Sequence, residues 1–175
     1  MDTLKGNLIF LRALEPEDLD YIHAIENDED VWELSNTVTP YSKFLIQEYL
    51  DSAHRDIYEV KQLRLVICRV EDEHPIGLID VFDFDAKHRR AGIGIIIKSA
   101  EDRHKGFGKE ALQLLMAYCH EHLDLHQLYC NISEANERSL KLFKSVQFEI
   151  IGLKKDWNYI KGHYQNEYSL QRIFS

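Results

Sequence analysis

The residues best suited to chemistry lie between Arg103 and Gly108, where the sequence runs Arg-His-Lys-Gly-Phe-Gly. An apolar run ends just before them at Ile97, and apolar residues at helical spacing follow them. Glycine lets the backbone turn so that successive amide groups face one point, and the first helical turn adds unpaired N–H groups and the positive end of its dipole. Such a turn is typical of a phosphate or pyrophosphate site, to which Arg103 and Lys105 would add positive charge.

The alternative interpretation of this segment is an ordinary helix start that contains glycine. The segment carries neither the Walker A pattern nor the Rossmann glycine pattern, so neither class of nucleotide site is assigned to it. A module that uses the same turn for ATP or GTP also stays open, although the sequence offers no Mg²⁺-ligand motif beside it.

Two motifs at matching separation resemble those of the GNAT N-acetyltransferases. Arg103-x-x-Gly106-x-Gly108 resembles the acetyl-CoA loop of that family, and the segment 136–148 is similar to its second motif, on the helix that lies beside coenzyme A. The segment 11–27 resembles the opening of the RimJ/RimL branch. The segments 76–97 and 159–170 are closest to the spermidine-acetylating members, so the resemblance covers nearly the whole chain.

The resemblance implies a GNAT fold, which is an α/β (α+β) domain with a mixed central sheet, a splayed pair of strands and flanking helices. It implies a single domain over residues 1–175 and direct attack of a primary amine on acetyl-CoA in a ternary complex. In the family, the strand before the turn pairs with the pantetheine arm of coenzyme A, and the turn holds the pyrophosphate. The residues assigned to the cofactor in this way are Ile95, Ile96, Ile97, Arg103, His104, Lys105, Gly106, Phe107, Gly108, Asn136, Ser139 and Phe143.

The sequence departs from the family at positions that matter for chemistry. Many members have a tyrosine where this chain has Phe143, and its hydroxyl is the proposed acid for the leaving thiolate. The spermidine-acetylating members also have a glutamate where this chain has Gly92, and acids near Val38 and Thr39. These departures weigh against spermidine itself. Asn136 also suits an ordinary helix N-cap, and the two roles are compatible.

Acyl transfer to an amine needs a proton acceptor, donors for the developing oxyanion and alignment of the reactants. The acids of the segment 80–85 are the candidate bases, and Asp83 is the first choice because it matches an acid in the resembling branch. In a regular strand Asp83 shares a face with Asp85, whereas Asp80 lies with Phe82 and Phe84. Solvated strand-end carboxylates are the alternative. The candidates for a catalytic role are Asp83, Ser139 and Phe143, and Tyr129 offers a further hydroxyl.

The acceptor is expected to be a primary amine, either a protein N-terminus or a small polyamine-like molecule. Aromatic residues in the region that forms the acceptor wall in the family, namely Trp32, Tyr41, Phe44 and Tyr49, either contact it or pack the second helix on the sheet. A non-catalytic acyl-CoA-binding regulatory domain is the alternative, since Phe143 lacks a hydroxyl. Dimers and larger oligomers are common in the family, and the closing strands often take part, so a homo-oligomer is a further expectation.

The periodicity of apolar residues predicts the elements that position these groups. Strands are expected over 8–13, 63–70, 76–84, 91–97, 127–132, 148–153 and 164–173. Helices are expected from Glu15 to Glu26, from Ser42 onward, over 107–123 and over 136–146. This order describes a mixed α/β domain with one main sheet.

Composition limits the classes of protein and partner that the chain can represent. Among 175 residues, 45% are apolar, which is enough for a core, and 21 basic against 30 acidic residues give a net charge of −9. That charge disfavours a duplex nucleic acid as partner, and no apolar run reaches the length of a membrane span. The three cysteines are far apart and the first ten residues lack a signal pattern, so a cytoplasmic location is expected. The histidines lack metal-ligand spacing, so no metal is expected.

Overall fold

Seven strands form one sheet in the computed structural model, which describes residues 2–175. The strands are β1 (Ile9–Ala13), β2 (Leu63–Arg69), β3 (Pro75–Asp85), β4 (Arg90–Ile97), β5 (Gln127–Ser133), β6 (Glu149–Ile160) and β7 (His163–Ile173). The helices are α1 (Leu19–Glu26), α2 (Glu29–Ser35), α3 (Lys43–Asp51), α4 (Ile57–Val60), α5 (Phe107–Glu121) and α6 (Glu137–Ser145). The spatial order of the strands is β1-β2-β3-β4-β5-β7-β6.

One strand pair is parallel, and it stays paired over a short distance only. β4 and β5 align at Arg90 with Gln127, Ala91 with Leu128 and Gly92 with Tyr129. Beyond that point β4 continues along β3, and β5 continues along β7. The two strands therefore diverge after Gly92 and Tyr129, a point we call the vertex, and the predicted splayed pair is confirmed.

Helices cover the two faces of the sheet unequally. The larger core cluster joins α5 and α6 to the sheet, and its fully buried members include Ile79, Ile93, Leu112 and Leu128. A smaller cluster holds the other face, where Ile25 of α1 packs near strand residues such as Val66 and Leu78. Because both faces of β2 are covered, its residues from Leu65 to Cys68 are all buried, as continuous apolar runs in covered strands usually are.

The expected elements are all present, and two short helices were missed. α2 has seven residues and α4 has four, which is too short for a periodic apolar pattern to show. Their N-caps are nevertheless ordinary. Asp28 accepts a hydrogen bond from the Asp30 amide, and Asp56 accepts one from the Tyr58 amide. No helix within residues 2–175 is long and apolar enough to cross a membrane.

β6 is longer than predicted, and β3 contains an irregularity that the sequence did not indicate. β6 runs to Ile160 rather than to residue 153, because it pairs with β7 along a hairpin closed at Lys161 and Gly162. In β3, the register to β4 shifts after Phe82, and Asp83 has φ of 48°. The prediction that Phe84 shares a face with Asp80 and Phe82 is therefore wrong, since Phe84 packs in the larger core cluster.

Candidate active site

The turn between β4 and α5 leaves consecutive backbone amides without acceptors. His104 and Gly106 have φ of 61° and 85°, and alternation of left-handed with ordinary residues directs neighbouring N–H groups to one side. α5 follows at Phe107 without a side-chain cap. From His104 to Lys109, a segment we call the amide turn, no amide bonds an acceptor within residues 2–175. The amide turn therefore presents free donors at a helix N-terminus, which is where anions bind.

Two arginines face the same region. The Nη2 atom of Arg103 donates to the Ile97 carbonyl at 3.3 Å, whereas its Nε atom is buried and has no partner among the described residues. Burial and the nearby positive charge of Arg103 lower the pKa of Arg138, in the first turn of α6. Sequence reasoning missed Arg138, although its place two residues after Asn136 was a usable signal. An orphaned Nε and two guanidinium groups that repel one another fit a bound polyphosphate.

The strand that leads to the amide turn is open on one edge. From Ile93 to Ile97, β4 pairs with β3 on one side, and no strand of residues 2–175 pairs with it on the side that faces β5. The side chains of Ile95 and Ile97 pack on the larger core cluster, while Ile96 packs on the smaller one. The free edge belongs to the backbone, so an extended ligand rich in amides can pair there as an additional strand would.

Of the candidate residues at α6, Asn136 is the N-cap and Phe143 belongs to the core. The Oδ1 atom of Asn136 accepts a hydrogen bond from the Ser139 amide at 3.1 Å, so the N-cap interpretation is confirmed. Ser139 is half-buried, and its hydroxyl has no side-chain partner in the described part of the chain. Phe143 is 3% exposed and packs edge-on against Phe148, with ring centroids 5.1 Å apart. Phe143 therefore contributes packing, and its ring has no proton to transfer.

The vertex brings together residues from three strands. The ring of Phe82 covers Gly92 so closely that a Cβ atom added at Gly92 would lie 2.2 Å from its Cε2 atom. Phe82 also meets Tyr129 edge-on at 6.0 Å between ring centroids. The Tyr129 hydroxyl donates to the Oδ2 atom of Asp83 at 3.3 Å. Burial and the charge of Asp83 raise the pKa of Tyr129, so its hydroxyl stays protonated near neutral pH.

A pocket of about 520 Å³ opens beside Phe82, between the sheet and the helices α1 and α3. Arg64 lies in it and donates to Glu26 at 2.5 Å and to Asp80 at 2.6 Å. Burial alone would lower the pKa of Arg64, but the two carboxylates outweigh that effect and raise it. We call this space the helix-side pocket, and its lining is Ile22, Glu26, Ser35, Thr37, Tyr41, Leu45, Ile46, Tyr49, Gln62, Leu63, Arg64, Asp80, Val81 and Phe82.

The aromatic residues expected at an acceptor wall separate into two groups. Tyr41 and Tyr49 line the helix-side pocket, and burial raises the pKa of Tyr49. Trp32 instead donates its indole N–H to the Glu26 carbonyl at 2.6 Å, which ties α2 to the end of α1. Phe44 is 70% exposed and does not line the pocket. Two of the four predicted residues thus reach a site that a ligand can enter.

Two other side chains with potential chemistry, Cys130 and Asp85, are either buried or already paired. Cys130 is buried, and burial raises the pKa of its thiol to about 12, so it is inert at neutral pH. Asp85 accepts a hydrogen bond from the His88 amide and pairs with Arg90. Within residues 2–175, no group of three or more His, Cys, Asp or Glu side chains is arranged to hold a metal ion.

Comparison with known proteins adds to this geometry. Residues 9–149 match the model of the acetyltransferase (GNAT) domain family. The chain is 32% identical over 157 residues to the spermidine N(1)-acetyltransferase of Escherichia coli strain K12, covering 89% of this chain and 81% of that protein. It is 30% identical over 156 residues to the enzyme of the same name from Vibrio cholerae, covering 89% and 87%.

Solved structures show the same similarity over nearly the whole chain. The crystal structure of spermidine N-acetyltransferase from Vibrio cholerae in complex with CoA and spermine aligns with a TM-score of 0.85 and 25% identity, covering 96% of each chain. A dodecameric structure of that protein in an intermediate state aligns with a TM-score of 0.78 and 25% identity, covering 96% of this chain and 95% of the other.

Proposed function

Because the chain belongs to the GNAT acetyltransferase family and is an acetyl-CoA-dependent N-acetyltransferase, we propose that the amide turn binds the diphosphate of coenzyme A and that acetyl transfer takes place at the vertex. The observation that carries this assignment is the run of amides from His104 to Lys109 that bond no acceptor, at the end of a strand with a free edge. Arg103 and Arg138 would neutralise the phosphates, and the free edge of β4 would pair with the pantetheine arm.

We assign the chemical step to residues at the vertex. Asp83 takes the proton of the attacking amine, directly or through water, and the Tyr129 hydroxyl holds the Asp83 carboxylate in place. An amide on the free edge of β4 stabilises the oxygen on which negative charge develops. Acetyl-CoA, when bound, supplies an activated acyl group with a thiolate as leaving group. Phe143 cannot protonate that thiolate, so a water molecule is proposed in its place.

We propose that the acceptor is a small primary amine of the class that includes the polyamines. The relatives named above act on spermidine according to their names, and one neighbouring structure contains spermine. The helix-side pocket adjoins the vertex through Phe82 and offers carboxylates and tyrosine rings, both of which suit an alkyl-ammonium ion. The comparisons lend no support to a protein N-terminus as acceptor or to a non-catalytic regulatory domain.

Residues 1–175 act as one domain, since strands from both ends of the chain, β1 and β7, belong to the same sheet. The chain self-associates through the β6–β7 hairpin, whose large exposed apolar side chains include Ile151, Trp157 and Tyr159, and a dodecameric structural neighbour supports this. We also propose a location in the reducing cytoplasm, with which the three free cysteines agree.

The test is release of free thiol from acetyl-CoA in the presence of a panel of amines. The panel contains alkyl monoamines, arylalkylamines, diamines and linear triamines, and the acetylated product is identified by mass spectrometry. We expect product with at least one small amine and none with a peptide that has a free N-terminus. Binding of acetyl-CoA without product from any amine would contradict the proposal and favour the regulatory domain.

A further inference from the structure

We propose that Phe82 determines which amines this enzyme accepts, and that its ring selects a primary amine with an apolar body and a single charge over a polyamine. The inference rests on the proposed function, since it concerns the route from the helix-side pocket to the vertex. It is carried by the position of one aromatic ring and by the state of the charged groups around it.

The Phe82 ring fills the space at the vertex. Phe82 lines the helix-side pocket and also lies over Gly92, with Gly94 next along β4. A Cβ atom at Gly92 would lie within 2.2 Å of the ring, whereas one at Gly94 would lie 3.9 Å away, in ordinary contact. The ring thus occupies the space in which any side chain of residue 92 would lie. An amine that passes from the pocket to the vertex must slide along the face or edge of this ring.

The charged side chains along that route are already paired with one another. Three charged side chains line the helix-side pocket, and Arg64 donates hydrogen bonds to the other two, Glu26 and Asp80. Its Nε and Nη2 atoms both donate to Asp80. Arg64 also lies over the Tyr49 ring at 5.9 Å. Arg64 therefore already pairs with both carboxylates of the pocket, and its positive charge offsets part of the attraction that they would exert on a ligand cation.

A second ammonium group on the acceptor would lose its hydration beside Phe82, which costs free energy. In a polyamine, a protonated nitrogen follows the reacting nitrogen after a few carbons, and this charge would come to rest beside Phe82. Removing an ammonium ion from water is costly unless an opposite charge receives it, and an aromatic ring returns only a small part of that cost. An alkyl or aryl group in the same position gains contact with the ring at no such cost. The vertex therefore favours an amine whose first carbons are apolar.

The experiment compares kcat/KM for four amines of similar length: an arylalkylamine, an alkyl monoamine, a diamine and a linear triamine. We expect the wild-type enzyme to prefer the two monoamines to the triamine by about tenfold or more, the discrimination typical of one apolar contact. Phe82→Val should lower kcat/KM for the arylalkylamine by about tenfold and leave that for the triamine nearly unchanged. The variant keeps a good strand former in β3.

A double variant tests the same idea in the opposite direction. Gly92→Glu alone should lower the melting temperature, because its side chain collides with the Phe82 ring. Gly92→Glu combined with Phe82→Val should restore the melting temperature and raise kcat/KM for the triamine above that of the wild type. Phe10→Val is the matched control, since Phe10 is a half-buried residue of β1 that packs on the smaller core cluster, two strands away from β3. It should leave the order of the amines unchanged.

The outcomes separate the inference from the proposed function. If the wild type prefers the triamine and Phe82→Val does not change the order of the amines, the inference is wrong while the acetyltransferase stands. If no variant releases thiol with any amine, the proposed function fails first. If the double variant gains nothing over Gly92→Glu in either melting temperature or triamine turnover, the ring does not control the vertex.

Discussion

At the scale of single residues, the vertex depends on a carboxylate that has left the regular strand. Asp83 is exposed and adopts a left-handed conformation at the register shift between β3 and β4. A bulge of this kind redirects a side chain, and here it brings the Asp83 carboxylate to the Tyr129 hydroxyl. The raised pKa of Tyr129 keeps its hydroxyl a donor to Asp83, which is the arrangement that the proposed role of Asp83 as the base requires.

Substitutions of Asp83 and Tyr129 should distinguish the proposed base from the residue that positions it. Asp83→Asn should lower kcat by about a hundredfold, because general base catalysis contributes roughly 10²–10⁴ in rate. Tyr129→Phe should lower kcat less, by about tenfold, since one hydrogen bond to a charged group is lost. Steady-state kinetics with the best amine of the panel measure both effects.

The control for this prediction is the other acid at the same strand end. Asp85, the last residue of β3, accepts a hydrogen bond from the His88 amide and pairs with Arg90, the first residue of β4, and it makes no hydrogen bond to Tyr129. Asp85→Asn should therefore leave kcat close to the wild-type value. Wild-type kcat in Asp83→Asn, or an equal loss in both aspartate variants, would remove Asp83 from the chemistry.

At the scale of elements, the amide turn is held by the N-terminal segment as well as by its own residues. The Glu110 carboxylate, in the first turn of α5, accepts hydrogen bonds from the amides of Asn7, Leu8 and Ile9 at 3.0, 2.7 and 2.8 Å. A Cβ atom at Gly106 would lie 3.4 Å from Leu8. The start of β1 therefore braces the end of the turn, so that its free amides are in place before a ligand arrives.

A glycine substitution tests whether this geometry serves the cofactor. Gly106 has φ of 85°, and alanine in that conformation costs about 1 kcal/mol. We expect Gly106→Ala to raise KM for acetyl-CoA by about fivefold, as the turn relaxes away from its binding conformation. KM for the amine should not change, which steady-state kinetics with each substrate varied in turn will show.

The hairpin turn offers a control with the same strain. Gly162 has φ of 87°, and nothing lies within 4 Å of an added Cβ atom. Gly162→Ala should cost similar stability without changing KM for acetyl-CoA. Equal changes of KM in both variants would mean that general destabilisation, rather than the conformation of the amide turn, accounts for the effect.

At the scale of the whole molecule, a large share of the exposed apolar side chains lies on β6 and β7, at one edge of the sheet. Most residues of β6 are exposed on both faces, although the strand carries isoleucine, leucine, tryptophan and tyrosine. Apolar surface of this extent in a soluble fold usually marks a contact with another protein. The overall charge of −9 opposes nonspecific association. The exposed apolar side chains of the hairpin therefore fit the proposed interface between copies of the chain better than they fit nonspecific contacts.

Charged substitutions on the hairpin should prevent the proposed self-association. Ile151 and Trp157 are each 58% exposed, and lysine at both positions would place two ammonium groups in a contact that must exclude water. We expect the mass measured by light scattering to fall for Ile151→Lys/Trp157→Lys relative to the wild type. Phe44→Lys, at an apolar residue of α3 that is 70% exposed, should leave the mass unchanged. A monomeric wild-type protein would contradict the proposed interface.

Much of the fold and part of the site follow from short stretches of sequence. The amide turn, the Asn136 cap and the order of strands and helices depend on neighbouring residues, because turns, caps and helices form between groups a few positions apart. The family resemblance rests on the same local motifs. α2, α4 and the second half of β6 escaped prediction, since they are either too short for periodicity or stabilised by a partner strand.

The sequence by itself determined the class of protein, and it indicated the amide turn as the candidate cofactor site and Asp83 as the candidate base. Only the tertiary structure decided that the Phe82 ring occupies the space over Gly92, that Tyr129 bonds Asp83, and that Arg64 holds Glu26 and Asp80. These contacts join residues from 10 to 46 positions apart, measured from Phe82 to Gly92 and from Asp83 to Tyr129. They depend on strand register, on one bulge and on the divergence of β4 from β5. Such features arise when strands distant in sequence pair, so no local pattern encodes them.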